Sequence, residues 1–233
     1  MKRLWIALTL FALHAVCGAI TTSLPPAQIS LAGDGSVRTF SEGSEGVTVT
    51  GDGSVRTWRV ASFSFNGATF DGLSFTFDSD PFIAFSVGVI NNADAPLNFS
   101  FAFTSPYVDG PYNHLSSSFT ADVQSQGTGA TLSLMSLDSA VNGIVELHTT
   151  LPDCTDPGAA DCGTATGSKS LSPTGPDGSF STELKFTLGV RDTAQLSGRT
   201  DLTLDDGTPL PLPSTLTLTA LALAAALGRR RTR

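Results

Sequence analysis

Leu73-Ser74-Phe75-Thr76-Phe77 and, after a short turn cluster, Ile83-Ala84-Phe85-Ser86-Val87-Gly88-Val89 alternate large apolar residues with small ones at a period of two. Successive side chains of a strand point to opposite faces, so each stretch presents apolar groups on one side and mostly short polar groups on the other. The same alternation appears earlier at Phe63 and Phe65, and later at Phe99, Phe101 and Phe103. Further strands are expected over Phe119 to Val123, Thr131 to Leu137, Ile144 to Thr149, Leu184 to Val190 and Leu196 to Leu204. Turn clusters separate the runs at Asn66-Gly67, Asp71-Gly72, Asp78 to Pro81, Asn91 to Pro96 and Asp109 to Pro111, with spacings that suit antiparallel sheets. No stretch of the body carries a capped amphipathic helix. Each phenylalanine face must be buried against another, which predicts an all-β fold: an antiparallel two-sheet β-sandwich, jelly-roll or Ig-like, spanning residues 20–204.

One octapeptide recurs almost unchanged. Gly33-Asp34-Gly35-Ser36-Val37-Arg38-Thr39-Phe40 returns as Gly51-Asp52-Gly53-Ser54-Val55-Arg56-Thr57-Trp58. Two copies are too few for a solenoid, and the repeat reads as a duplicated hairpin, with Asp-Gly turns feeding strands that begin at Val37 and Val55. Calcium binding by Asp34 and Asp52, with Asp78 and Asp80, is the alternative. Calcium gathers six to eight oxygens, and no complete ligand-loop spacing is present, so no metal site is expected.

The two ends of the chain belong to export. Lys2 and Arg3 precede an apolar run from Leu4 to Val16 and the small residues Cys17, Gly18 and Ala19, the order of a secretory signal peptide cleaved after Ala19. About 13 apolar residues, at about 1.5 Å each, cover about 20 Å of a hydrocarbon core about 30 Å thick, too little for a membrane span. The opposite end reads Pro211-Leu212-Pro213-Ser214, then the apolar stretch Leu216 to Leu227, then Arg229, Arg230, Arg231 and Arg233. A short hydrophobic helix followed by arginines holds the tail in the inner membrane with its charges in the cytoplasm, leaving the proline motif outside. Residues 205–213 read as a linker and 214–233 as the sorting and anchor segment, a short transmembrane helix plus an arginine cluster, a reading carried by its place at the extreme terminus ahead of the arginines and not by its length.

At these residues the tail resembles the PEP-CTERM class of Gram-negative sorting signals, and Pro211-Leu212-Pro213 is similar to its Val-Pro-Leu-Pro-Ala variant, with Leu210 in place of Val and Ser214 in place of Ala. The resemblance implies an exosortase-like processing enzyme acting at the proline motif, after signal peptidase has acted at Ala19. It also implies delivery to the cell surface or extracellular matrix of a Gram-negative bacterium. The body is loosely similar, around Asp80-Pro81-Phe82, Asn91-Asn92 and Phe99 to Phe103, to uncharacterised proteins with this tail.

Once both ends are set aside, 7 basic side chains remain against 21 acidic ones, a net of −14. That sign argues against nucleic acid or an anionic membrane surface as partner. Cys17 leaves with the signal peptide, and Cys154 and Cys162 remain as an even pair in an oxidising compartment, read as one disulfide. Turn-forming residues lie between them, so the bond is expected to pin a surface loop, and the Gly, Pro, Ser and Thr-rich stretch from Cys154 to Gly178 reads as a long exposed loop.

Chemistry is sparse in the body. His114 and His148 stand in unlike contexts, no Gly-x-Ser-x-Gly elbow presents a nucleophile, and no His-x-His or His-Glu-x-x-His spacing offers a metal. Only Glu146 and Glu183 lie past residue 45, neither in an informative motif. The expectation is therefore not an enzyme and no cofactor, but a structural or adhesive surface protein, with a secreted hydrolase ranked last. The alternative is a module that binds carbohydrate, such as exopolysaccharide, with Trp58, Tyr107 and Tyr112 as candidate ring-stacking contacts; against it stands a core position for Trp58 and a turn-capping one for the tyrosines.

Overall fold

The computed structural model describes residues 27–51, 54–78, 81–107, 110–125, 129–156, 158–175 and 178–204. The signal segment with Ala19, the linker, and the tail with Pro211, Leu212, Pro213 and Ser214 lie outside the described residues.

Among the described residues the secondary structure is all strand. The chain opens with the hairpin β1 (Gln28–Gly33) and β2 (Ser36–Phe40), then β3 (Val47–Thr50), β4 (Arg56–Val60), β5 (Phe63–Phe65), β6 (Ala68–Asp78) and β7 (Phe82–Asn91). It continues through β8 (Leu97–Tyr107), β9 (His114–Ser125), β10 (Ala130–Val141), β11 (Ile144–Thr150), β12 (Cys154–Asp156), β13 (Ala159–Ser170), β14 (Gly178–Leu188) and β15 (Asp192–Thr203). Two antiparallel sheets result. The first runs β11-β10-β14-β8-β1-β2 with β12 beside β10, and the second runs β13-β9-β15-β7-β6-β4-β3 with β5 beside β6.

The alternation that predicted the strands also sets their facing. Phe75 and Phe77 of β6, Phe85 of β7, Phe101 and Phe103 of β8 and Phe186 of β14 are all buried. Across the gap between sheets, Phe103 stacks on Phe75 at 5.3 Å and on Phe85 at 4.9 Å between ring centroids, and Phe70 meets Phe99 and Phe101 edge-on at 5.2 and 5.5 Å. Offset and edge-to-face pairs of this kind add to the burial energy of each ring. Gly198 on β15 makes room for one of them: a Cβ there would sit 2.5 Å from Cζ of Phe85.

The repeated octapeptide becomes two hairpin strands, as its sequence suggests, but with unequal turns. In the first copy Gly33 pairs with Ser36, so Asp34 and Gly35 alone turn the chain, at φ 43° and 78°. In the second, Thr50 pairs with Thr57, leaving a longer loop across the same sequence. Each copy ends on a buried aromatic, Phe40 in the first sheet and Trp58 in the second.

Cys154 and Cys162 are bonded, with Cα atoms 5.4 Å apart. The consequence departs from the loop reading. Cys154 lies on β12 in the first sheet and Cys162 on β13 in the second, so the bond ties the two sheets together at one side of the sandwich. The stretch expected as an exposed loop instead supplies β12 and the whole of β13. Composition misled there because β13 is an edge strand facing the core with little more than Ala165, and glycine serves a packing role: a Cβ on Gly167 would lie 2.6 Å from Oγ1 of Thr149 on β11. A hydroxyl bond of 2.7 Å between Ser117 of β9 and Thr149 closes the same side.

Two stability results follow. Phe103→Ala should cost about 3–5 kcal/mol in denaturant unfolding, against less than about 0.5 kcal/mol for Val37→Ala at an exposed edge position. Replacing both cysteines by serine should cost about 2–3 kcal/mol, the loop-entropy value for so short a closed loop. A Phe103 variant as stable as the parent would contradict the stacked core.

Candidate functional site

Phe186 and Leu184 of β14 point into the core, so Glu183, Lys185 and Thr187 point outward from the first sheet. Register then decides their neighbours. Lys185 stands opposite Ser100 on β8 and Ser136 on β10, Thr187 opposite Asn98, and Glu183 opposite Ala102 and Asp138. Asp138 in turn faces His148 on β11. Ser100, Glu183, Lys185, Asp138 and His148, five of these polar side chains from four strands, therefore share one patch on the outer face.

They are bonded into a chain. The Ser100 hydroxyl donates to Oε1 of Glu183 at 2.5 Å, and the Lys185 ammonium donates to Oε2 of Glu183 and to Oδ2 of Asp138, both at 2.9 Å. His148 Nδ1 bonds the other oxygen of Asp138. Asp138 is the shielded member, with 13% of its side chain exposed, whereas His148 is 59% exposed. Burial pushes the Asp138 carboxyl up, but the bonds from His148 and Lys185 outweigh it and hold the group below its ordinary range. The bonds to Asp138 and then Glu183 raise the Lys185 ammonium above its ordinary value.

Beside this chain runs an open groove of about 440 Å³, within the range of small-ligand sites. Its floor is Asn98, Ser100, Lys185 and Thr187, with the Thr187 hydroxyl donating to Oδ1 of Asn98 at 2.5 Å. On the β1 side the turn Gly33 to Gly35 forms one wall. On the β10 side the wall is Leu134, which a shift of register between Ser133 and Ser136 lifts out of the sheet at φ 52°, leaving it 71% exposed. Such a bulge re-aims a side chain that regular pairing would place elsewhere. The groove thus combines a mostly apolar lining with four polar side chains on its floor, Asn98 and Thr187 bonded to each other and Ser100 and Lys185 held by Glu183.

The residues expected to stack on sugar rings are placed elsewhere. Trp58 is 1% exposed, with its ring against the edges of Phe75 and Phe77 at 5.9 and 5.7 Å. Tyr112 is 2% exposed and its backbone is bonded to Thr174 in both directions. Both are core residues and present no face to a ligand, which corrects their reading as contacts. Tyr107 ends β8, and its side chain lies outside the described residues. His114 begins β9 in the second sheet, apart from His148 on β11. Asp34 is exposed at its turn, Asp78 ends β6, and Asp52 and Asp80 lie outside the described residues. Among the described residues no group of three or more His, Cys, Asp or Glu side chains gathers as a metal site.

No protein-family model matches the chain, and no curated protein matches its sequence. Solved structures similar to it include a carbohydrate-binding module, TmCBM61, in complex with β-1,4-galactotriose, at 10% identity and TM-score 0.29, covering 52% of this chain and 71% of that one. Another is the family 11 carbohydrate-binding module of the cellulase Lic26A-Cel5E of Clostridium thermocellum, at 11% identity and TM-score 0.22, covering 70% and 98%. Likenesses this distant carry no argument about the site.

The acid limb of stability tests the chain of bonds. A carboxyl whose folded value is depressed stabilises the fold above its unfolded value and loses that contribution as pH falls through the folded one. Asp138→Asn should therefore be less stable at neutral pH and should lose less on acidification below about pH 4. Parallel acid limbs for variant and parent, by thermal melting, would contradict the arrangement.

Proposed function

We propose that the protein is an exported cell-surface module that holds polysaccharide in the groove on its first sheet, binding without turnover and serving a structural or adhesive role in an extracellular matrix. The observation that carries this reading is the groove itself: Asn98, Ser100, Lys185 and Thr187 offer fixed amide, hydroxyl and ammonium groups beside the exposed Leu134, a pairing suited to the hydroxyls and C–H faces of a sugar chain. The chemistry of the patch favours binding over catalysis. Lys185 is held between two carboxylates, and the Ser100 hydroxyl is committed to Glu183.

Export comes from the termini. The signal segment ending at Ala19 sends the chain across the inner membrane, where signal peptidase removes it. The tail with Pro211, Leu212, Pro213 and Ser214 holds it there until an exosortase-like enzyme acts, and in sequence the linker 205–213 begins one residue past the last strand, after Leu204. The disulfide between sheets suits the oxidising compartment this route leads to.

Affinity electrophoresis of the mature protein through gels containing the host's own exopolysaccharide tests the reading. The parent should be retarded, Lys185→Ala and Asn98→Ala should each weaken retardation about tenfold or more, and Ser118→Ala on the second sheet should behave as the parent. Equal mobility in the presence and absence of polymer would defeat the proposal.

A further inference from the structure

Resting on the polysaccharide reading of the groove, we infer that its ligand is an uncharged glycan and that Glu183 and Asp34 reject carboxylated or sulfated chains. The charges at the groove are arranged asymmetrically. Lys185 is the cation on its floor, and both Asp138 and Glu183 already bond that ammonium, so little positive charge remains for a ligand. Acidic groups are in excess there, since Asp138 and Glu183 share one ammonium and Asp34 adds a further carboxylate. Asp34 sits exposed in the wall formed by the β1–β2 turn, and Glu183, 37% exposed, adjoins the floor through Ser100 and Lys185.

His148, at the far end of the chain of bonds, is paired with Asp138. The described arginines lie away from the floor: Arg191 is paired with Asp94, Arg199 with Asp201 on the second sheet, and Arg56 with Glu42, while Arg59 is on β4 of the second sheet. Arg38 lies over the rings of Phe40 and Phe63. An acidic polymer entering the groove would therefore meet the Asp34 carboxylate and a cluster in which two carboxylates share the Lys185 ammonium, with the excess negative charge of the whole body behind them. Hydroxyl groups meet no such barrier. They can donate to Glu183 and Asp34 and accept from Lys185 and the Asn98 amide nitrogen, and short uncharged groups at Ser100 and Ser136 leave the floor open to a ring.

The test compares one polymer in two charge states. The mature protein is titrated with a soluble neutral β-glucan and with the same chain oxidised at its primary alcohols to uronate, at low and at high salt. The neutral chain should bind at least about tenfold more tightly at low ionic strength, with the gap narrowing as salt screens the repulsion. Glu183→Gln keeps a partner for Ser100 while freeing part of the Lys185 charge, and Asp34→Asn keeps a residue that tolerates positive φ. Both substitutions should narrow the gap, and the double variant should narrow it most. Equal or tighter binding of the oxidised chain by the parent overturns the inference while leaving the groove a glycan site. Binding of neither chain overturns the polysaccharide reading and this inference with it.

Discussion

The stacking of Phe103 between Phe75 and Phe85 is the contact on which the rest of the molecule depends. It joins β8 of one sheet to β6 and β7 of the other, and the edge-on contacts of Phe70 with Phe99 and Phe101 continue the same seam. A sheet with one apolar face has no stable existence alone in water; two such faces closed on each other remove both from solvent. Because side chains alternate, fixing the phenylalanines inward fixes every neighbouring serine, threonine, lysine and glutamate outward. The polar patch on the first sheet is thus a by-product of core packing, and a one-residue slip in β14 would exchange Lys185 for Phe186.

The closing devices at the sides follow from the same geometry. A stacked centre leaves the sandwich open along its edges, where β11 and β13 carry few large inward residues. There the disulfide between β12 and β13, the Ser117 to Thr149 bond and the close approach at Gly167 take over from hydrophobic burial. Covalent and hydrogen-bonded closure is sequence-economical, needing only a few correctly placed small or polar residues. It also explains why that segment has almost no apolar signature.

What could be read from the sequence divides along the same line. Local periodicity announced β6, β7 and β8 outright, since the alternation of Phe75, Phe85 and Phe101 is visible within each strand. The recurring octapeptide announced two hairpin strands, though not that its copies would land in opposite sheets with different turns. By contrast β13 was hidden by its glycines and serines, and the patch was hidden by distance along the chain. Ser100, Asp138, His148 and Glu183 meet only through the pairings of β8, β14, β10 and β11, and nothing in the neighbourhood of any one of them points to the others. Trp58 and Tyr112 were the visible aromatics, and the core claimed both. A large ring in a protein with so many strand faces to cover is worth more inside than on a surface.

Function therefore turns on whether the outward face of the first sheet is a binding surface or only a solvated one. Amide chemical-shift mapping of the mature protein during titration with a neutral oligosaccharide addresses this directly. Perturbations confined to Asn98, Ser100, Ser136, Lys185, Thr187 and the turn at Asp34 are the expected result. Perturbations centred on the second sheet around Ser118 and Ser197, or none at saturating ligand, would contradict the account.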